Sequence, residues 1–195
     1  MKYWLFKTEP ATFGVDDLAR ARDATTAWDG VRNYQVRNML RDEMKAGDLG
    51  FLYHSSCDVP GIYGIVKVVK EGYPERAALD RKHGYFDPKS DPANPTWYSV
   101  DVRLEKKLDP PITLESLRKH AQGALSQMLI LRRGNRLSVT PVTREEWRFI
   151  TSLKRRDAVN HSASAASRAS VARTVEHSSR EGARRIRDVP LALCI

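Results

Sequence analysis

Cysteine is almost missing from this chain. Cys57 and Cys194 are the only two and lie far apart in sequence, which excludes a disulfide framework and a cysteine-rich zinc site. Long apolar runs are missing too: none approaches the roughly 20 residues that cross a bilayer. The start, M-K-Y-W-L-F-K-T-E-P, reads as a strand and lacks the apolar core and small-residue cleavage site of a secretory signal. A cytoplasmic protein without a membrane partner is expected, nucleoid-associated if it binds DNA. Catalytic signatures are equally scarce. There is no Walker loop, no G-x-G-x-x-G, no G-x-S-x-G and no H-E-x-x-H. The five histidines show no ligand-like spacing. Cys57 lies three residues from His54, but they could meet only through an accident of the turn, and a packed cysteine is the ordinary outcome. Glu9 is one carboxylate without a partner, which is not a mechanism. The expectation is a protein that is not an enzyme and needs no cofactor or metal.

What the chain does have is positive charge, placed unevenly. The formal net charge is +9. Ser152–Ile195 holds nine basic and four acidic residues, leaving twenty-four basic and twenty acidic ones for the first 151. Residues 154–195 are Ser/Ala/Arg-rich with little apolar periodicity, and are expected to be a largely disordered basic tail behind a folded domain of 1–153. Such a tail adds nonspecific nucleic-acid affinity through counterion release, or is a dispensable extension.

Within 1–153, strand-like runs alternate with short helical ones. Strands are expected at Tyr3–Lys7, Leu49–His54, Ile62–Glu71, Trp97–Leu108 and Leu137–Val142, the third buried on much of both sides. Helices are expected at Val15–Arg22, Asn33–Met44, Ile112–His120, Leu125–Leu131 and Thr143–Leu153. Asp16 and Asp17 favour the first helix through its dipole, and Gly47 is expected to cap the C-terminus of the second. Thr143 and Glu146 form a capping box for the last. Tyr73–Pro95 holds four prolines and reads as mostly irregular. Strands with unequal helical insertions and no βαβ spacing argue for an α+β domain around a small curved sheet or barrel.

The densest segment is Trp28–Arg41, W-D-G-V-R-N-Y-Q-V-R-N-M-L-R, with three arginines, two asparagines, a glutamine, a tyrosine and a tryptophan in fourteen residues. Trp28-Asp29-Gly30 reads as a turn. From Asn33 the period is helical: Val36, Met39, Leu40 and Met44 mark a buried face. Tyr34, Arg37, Asn38 and Arg41 mark a polar one. Guanidinium forks, an amide and an aromatic ring on one rigid element suit phosphate clamping and base-edge recognition; a solvated amphipathic helix has the same pattern.

Six runs occur in order: K-Y-W-L-F-K-T-E-P, W-D-G-V-R-N-Y-Q-V-R-N, G-D-L-G-F-L-Y-H-S, P-G-I-Y-G-I, Y-F-D-P-K-S-D-P-A-N-P-T-W and L-R-R-G-N-R-L-S-V-T-P-V. Together they resemble the EVE domain family, over about Met1 to Leu153. The resemblance implies a PUA-like fold, a small curved β-barrel with flanking short helices, related to YTH and ASCH domains. It implies a non-enzymatic pocket for a modified nucleobase flipped from its strand, a modified cytosine in DNA above all. The chain departs from the family pattern at Gly14, where Ser is common, at Ser56, where Asn is common, and at Val36, where Ala is common. The tail has no counterpart.

Base reading explains why such residues would be needed. Extruding a base costs a few kcal/mol, and aromatic stacking returns roughly 1–3 kcal/mol. Candidates for the aromatic wall are Trp28, Tyr34, Tyr53, Tyr85 and Trp97; Trp97 also fits a core position at a strand start, as Trp4 and Trp147 do. Arg32, Asn33, Gln35, Arg37 and Asn38 offer edge donors and phosphate contacts. His54, Ser55 and Ser56 would complete a polar rim, and Arg132 and Arg133 would clamp phosphate. The expected partner is modified DNA, or RNA as for PUA and YTH relatives, bound by a monomer or weak dimer with no obligate protein partner. A sensor of, or enzyme for, a small nucleotide-like ligand is the alternative.

Overall fold

The structure, a computed structural model, describes residues 1–153. The expected basic tail, 154–195, lies outside them. Within the compact unit Met1–Thr151 six strands form one sheet: β1 (Tyr3–Thr8), β2 (Thr25–Trp28), β3 (Leu49–His54), β4 (Gly61–Pro74), β5 (Tyr98–Thr113) and β6 (Val139–Val142). Their order is β2-β5-β4-β3-β1-β6. Only β1 and β3 run parallel; the other neighbours are antiparallel.

The α+β class therefore holds, but the expected barrel is corrected to an open sheet. Among the described residues β2 and β6 each pair on one side only. Both are four residues long. β2 ends at Trp28, and Gly30 (φ +71°) turns the chain away; β6 carries Pro141, which cannot donate to a further strand. Curvature comes from irregular pairing between β4 and β5, whose register shifts four times. Each such bulge bends and twists the strand that carries it.

The inner face of the sheet presents Trp4, Phe6, Leu52, Val66, Val68, Val100, Val102 and Val139. Two helical elements cover it. Helix α1 (Val15–Arg20) contributes Val15 and Leu18. Helix α2 (Tyr34–Asn38) runs into a wider π-type turn, Met39–Glu43. The buried stripe expected here is found: Val36, Leu40 and Met44 are fully buried and Met39 nearly so. Each such side chain contributes roughly 1.5–3 kcal/mol, so tertiary packing holds this short helix. On the other face Phe51 stacks on Trp147 at 4.2 Å, within the last described helix, 144–153. The expected capping box starts it: Glu146 Oε2 accepts from Thr143 N–H at 2.8 Å, and Thr143 Oγ1 from Glu146 N–H at 3.1 Å.

Several boundaries differ from expectation. Thr25–Trp28 is a strand, and β4 and β5 run on to Pro74 and Thr113. The helix expected at Ile112–His120 shrinks to α3 (Leu114–Arg118), capped by the Thr113 hydroxyl. Leu125–Leu131 is turns with a single 3-10 segment, Leu129–Leu131. Gly47 (φ +95°) lies three residues past the helix cap at Met44 and donates its N–H to Val68 O, so it turns the chain into β3 rather than capping α2. Nor is β4 buried on both sides: Ile62, Val66 and Val68 are fully buried while Ile65 and Val69 are half-buried.

Candidate nucleic-acid interface

The polar segment predicted from sequence is built around the entry to α2. Asn33 is its N-cap: Oδ1 accepts from Gln35 N–H at 2.9 Å and Val36 N–H at 3.1 Å, which accounts for two otherwise orphan donors. One residue earlier, Arg32 reaches 43 positions along the chain to Glu75. Its guanidinium meets both carboxylate oxygens at 3.1 Å. The Glu75 side chain is 1% exposed, and that of Arg32 31%. Arg32 also donates to the carbonyls of Val31 and Tyr85. Its cation lies 5.0 Å from the Trp97 ring centroid and 5.6 Å from that of Tyr85. Gly30 N–H donates to the same carboxylate at 3.3 Å, and Glu75 N–H to Trp97 O at 2.9 Å. Arg32 thus fastens the irregular 75–97 segment against the turn before α2, and its donors are largely taken. Gly30 is required here: a Cβ would lie 2.6 Å from the Tyr85 ring.

Outside this latch is an exposed surface. Tyr34 is 61% exposed and stacks on Trp97 at 5.1 Å between ring centroids. Arg37 lies 5.0 Å over the other part of that stack, the Tyr34 ring. It is held by Thr96 O at 2.8 Å and by Asn38 Oδ1 at 2.8 Å. Gln35 and Asn38 are exposed beside them. Trp97 itself is buried, its indole N–H donating to Asp87 Oδ2 at 2.6 Å; that bond holds the Asp87 carboxyl below the usual range. Tyr85 is 41% exposed. Trp28 points elsewhere. It is buried edge-on against Phe6 at 5.0 Å, inside the core cluster.

The strand end Tyr53–Ser56 is a separate corner. Strand alternation sends neighbouring side chains to opposite faces. Tyr53 shares the Phe51 side, where burial pushes its hydroxyl up to about 12. His54 shares the Leu52 side: its Nε2 accepts from Val15 N–H at 3.0 Å, and its ring stacks on Tyr63 at 4.1 Å. Burial lowers the His54 pKa. Ser55 donates its N–H and hydroxyl to Thr8 O, and Ser56 donates its hydroxyl to Glu9 Oε1 at 2.9 Å. Ser56 has φ +54°, a left-handed angle that asparagine tolerates better than serine. Next to this corner is a cleft of about 490 Å³ lined by His54, Cys57, Tyr63 and Lys107 among others.

Arg132 and Arg133 follow the Leu129–Leu131 turn and are exposed. Arg132 donates to Gln127 Oε1 at 2.7 Å, and among the described residues no hydrogen bond or ion pair joins either arginine to the Arg32 group. The expected site is therefore three groups. Asn33, Tyr34, Gln35, Arg37 and Asn38 share one surface backed by Arg32 and the buried Trp97; residues 53–56 form a corner; Arg132 and Arg133 lie on their own loop. Sequence reading missed Glu75, the partner of Arg32, because a lone acid in a proline-rich segment has no local pattern. Among the described residues no cluster of His, Cys, Asp and Glu could hold a metal ion, and no helix is long and apolar enough to cross a membrane.

A small mixed sheet displaying stacked rings and cations defines a module suited to binding. The EVE domain model matches residues 2–153, and the chain belongs to the EVE domain family. Relatives include thymocyte nuclear protein 1 of Danio rerio, 42% identical over 171 residues, which cover 80% of this chain and 73% of that protein. The Homo sapiens protein of that name is 39% identical over 170 residues, 80% of this chain and 75% of that one. Among solved structures, human THYN1 in complex with 5-methylcytosine-containing DNA superposes with a TM-score of 0.74 at 40% identity, covering 79% of this chain and 98% of that one. A Pseudomonas putida protein gives 0.73 at 41% identity, covering 78% and 99%.

Proposed function

We propose that this chain reads a modified nucleobase in DNA, a modified cytosine first, and binds it without changing it. The observation that carries the reading is the human relative, 40% identical and crystallised with 5-methylcytosine-containing DNA. The local geometry supports it. Tyr34 offers a ring already stacked on Trp97 and flanked by the Arg37 cation, the combination that holds an unstacked base and its backbone. In this reading Tyr34, Gln35, Arg37 and Asn38 meet the strand, Asn33 and Trp97 hold them in place, and Arg32 fixes the wall behind them. Arg133, and Arg132 with it, contacts phosphate from its own loop. The polar corner at 54–56 shapes the rim, and the stretch 154–195 adds charge. Such a protein works where the genome is, nucleoid or nucleus. The name thymocyte nuclear protein 1 agrees with a place beside DNA.

Titration with matched oligonucleotides at increasing salt tests this. A reader binds the 5-methylcytosine strand more tightly than the unmodified one, and both weaken steeply with salt as phosphate contacts release counterions. Salt-independent binding of a free nucleoside, with none of either oligonucleotide, would replace this reading with a small-ligand sensor.

A further inference from the structure

A second cavity, of about 320 Å³, lies behind the Arg32 latch. It is on the sheet face opposite the inner core. Val100 and Val102 of β5 point into that core, so Ser99 and Asp101 point the other way. Tyr73 is opposite Ser99 in the β4–β5 register, and Ala27 is opposite Asp101 in the β2–β5 register. Glu75 belongs to both places: it lines this cavity and holds Arg32. Asp29, Lys70 and Arg76, all exposed, and the buried Ala77 complete the lining.

Two observations point to a ligand. Ser99 is 1% exposed, and its Oγ has no hydrogen-bond partner among the described residues; a buried hydroxyl left unpaired is costly and rare. The second is acceptor capacity. Tyr73 donates to Asp101 Oδ1 at 2.5 Å, which leaves Oδ2, and Asp29 has no hydrogen bond or ion pair among the described residues. Carboxylates that can accept from N–H donors, a hydroxyl that can donate or accept, and two cations beside them suit one ligand class. It is a planar base with an exocyclic amine, attached to a phosphate.

We propose that this cavity takes the amino-bearing base of a nucleotide neighbouring the one that is read, with Asp101, Asp29 and Ser99 on the base edge and Lys70 and Arg76 on its phosphate. It selects the amine-bearing bases (cytosine, adenine and guanine) against thymine, because a carboxylate accepts from an exocyclic amine and repels a carbonyl. The inference rests on the reading of the chain as a DNA binder. It adds a preference for the flanking base that the main contact surface does not supply.

The test uses the full chain and free mononucleotides, so it does not depend on recognition of the modified base. Backbone amide shifts of Ser99 and Ala77 are followed while deoxycytidine, deoxyadenosine or deoxythymidine monophosphate is added. The expected result is saturable shifts with the first two and at least tenfold weaker binding of the third, with Asp101→Asn and Ser99→Ala each lowering cytidine nucleotide affinity several-fold. Ser99→Ala removes one unpaired atom, so it reports on binding even if Asp101→Asn disturbs the strand. Equal binding of all three nucleotides, no shift at millimolar concentration, or unchanged affinity in both variants overturns the proposal. Methylated and unmethylated oligonucleotides are titrated in parallel. Equal binding of the two oligonucleotides with intact nucleotide selectivity would refute modified-base reading and leave this cavity's base preference in a DNA binder standing.

Discussion

The Arg32 group and the His54 corner are both polar clusters at strand ends, and they are built in opposite ways. At the corner, the polar atoms face the protein: His54 Nε2 takes Val15 N–H, Ser55 is bound to Thr8 O, and Ser56 to Glu9. At the Arg32 group one ion pair to a buried carboxylate secures the frame, and rings and a cation are left outside it, with Tyr34 more than half exposed. The difference teaches that a list of polar residues does not make a binding surface. What counts is which donors and rings remain after the fold has used what it needs. By that measure ligand energy should come from the α2 side, and residues 54–56 should matter to folding first.

The comparison is sharpest at the latch. Glu75→Ala removes a buried carboxylate but leaves an Arg32 that solvent can reach, so the loss is that of charge-assisted hydrogen bonds, about 1.5–3 kcal/mol. Thermal unfolding should show this as a large fall in Tm, with the 75–97 segment becoming protease-sensitive; a fall no larger than that of an exposed-site variant would mean that Arg32 is not a latch. Tyr34→Ala reverses the pattern. An exposed ring contributes little to stability, within about 0.5 kcal/mol. Loss of its stacking should weaken oligonucleotide binding by roughly 1–3 kcal/mol, measured by fluorescence polarisation.

At the corner the expected effect is on pH dependence. Burial depresses the His54 pKa below its ordinary 6.5, so between the folded value and 6.5 the unfolded chain binds more protons. Stability from this group is complete above about pH 6.5 and is lost as pH falls through the folded pKa. Chemical denaturation from pH 7 to pH 5 should show that decline, and His54→Phe should remove this component of it; an unchanged slope would contradict the burial argument. The smallest effects come from restoring family residues. Gly14 caps α1 without a side chain, and a Cβ there would approach His54 Cε1 no closer than 3.4 Å. Gly14→Ser should therefore add a few tenths of a kcal/mol. Ser56→Asn should add a similar amount by relieving the left-handed angle. A loss of Tm in either variant would show that the departure suits this chain.

Legibility in the sequence followed range. The buried stripe Val36, Met39, Leu40 and Met44 and the Thr143–Glu146 box are local, and were readable from spacing alone. β2 was hidden because Thr25–Trp28 is too short for its alternation to stand out, and the extra lengths of β4 and β5 because bulges break the period. Of the site, the α2 face was legible as a rigid set of ring, amide and guanidinium. The division of labour between Arg32 and Arg37 was not, since it depends on Glu75, 43 residues away in a segment without periodicity. Trp28 and Tyr53 qualify as wall rings by residue type alone, but sheet pairing turns one into the inner core and the other to the opposite face.

On the proposed reading, the Tyr34–Arg37 surface gives this chain its grip on a modified base. The most direct measurement is the ratio of affinities for a 5-methylcytosine oligonucleotide and its unmodified match, taken for the wild type and for Tyr34→Ala at the same salt. A wild-type ratio well above one, falling towards one in Tyr34→Ala while Tm is unchanged, is the predicted result. A ratio of one in the wild type, or a ratio that survives the loss of Tyr34, would contradict it.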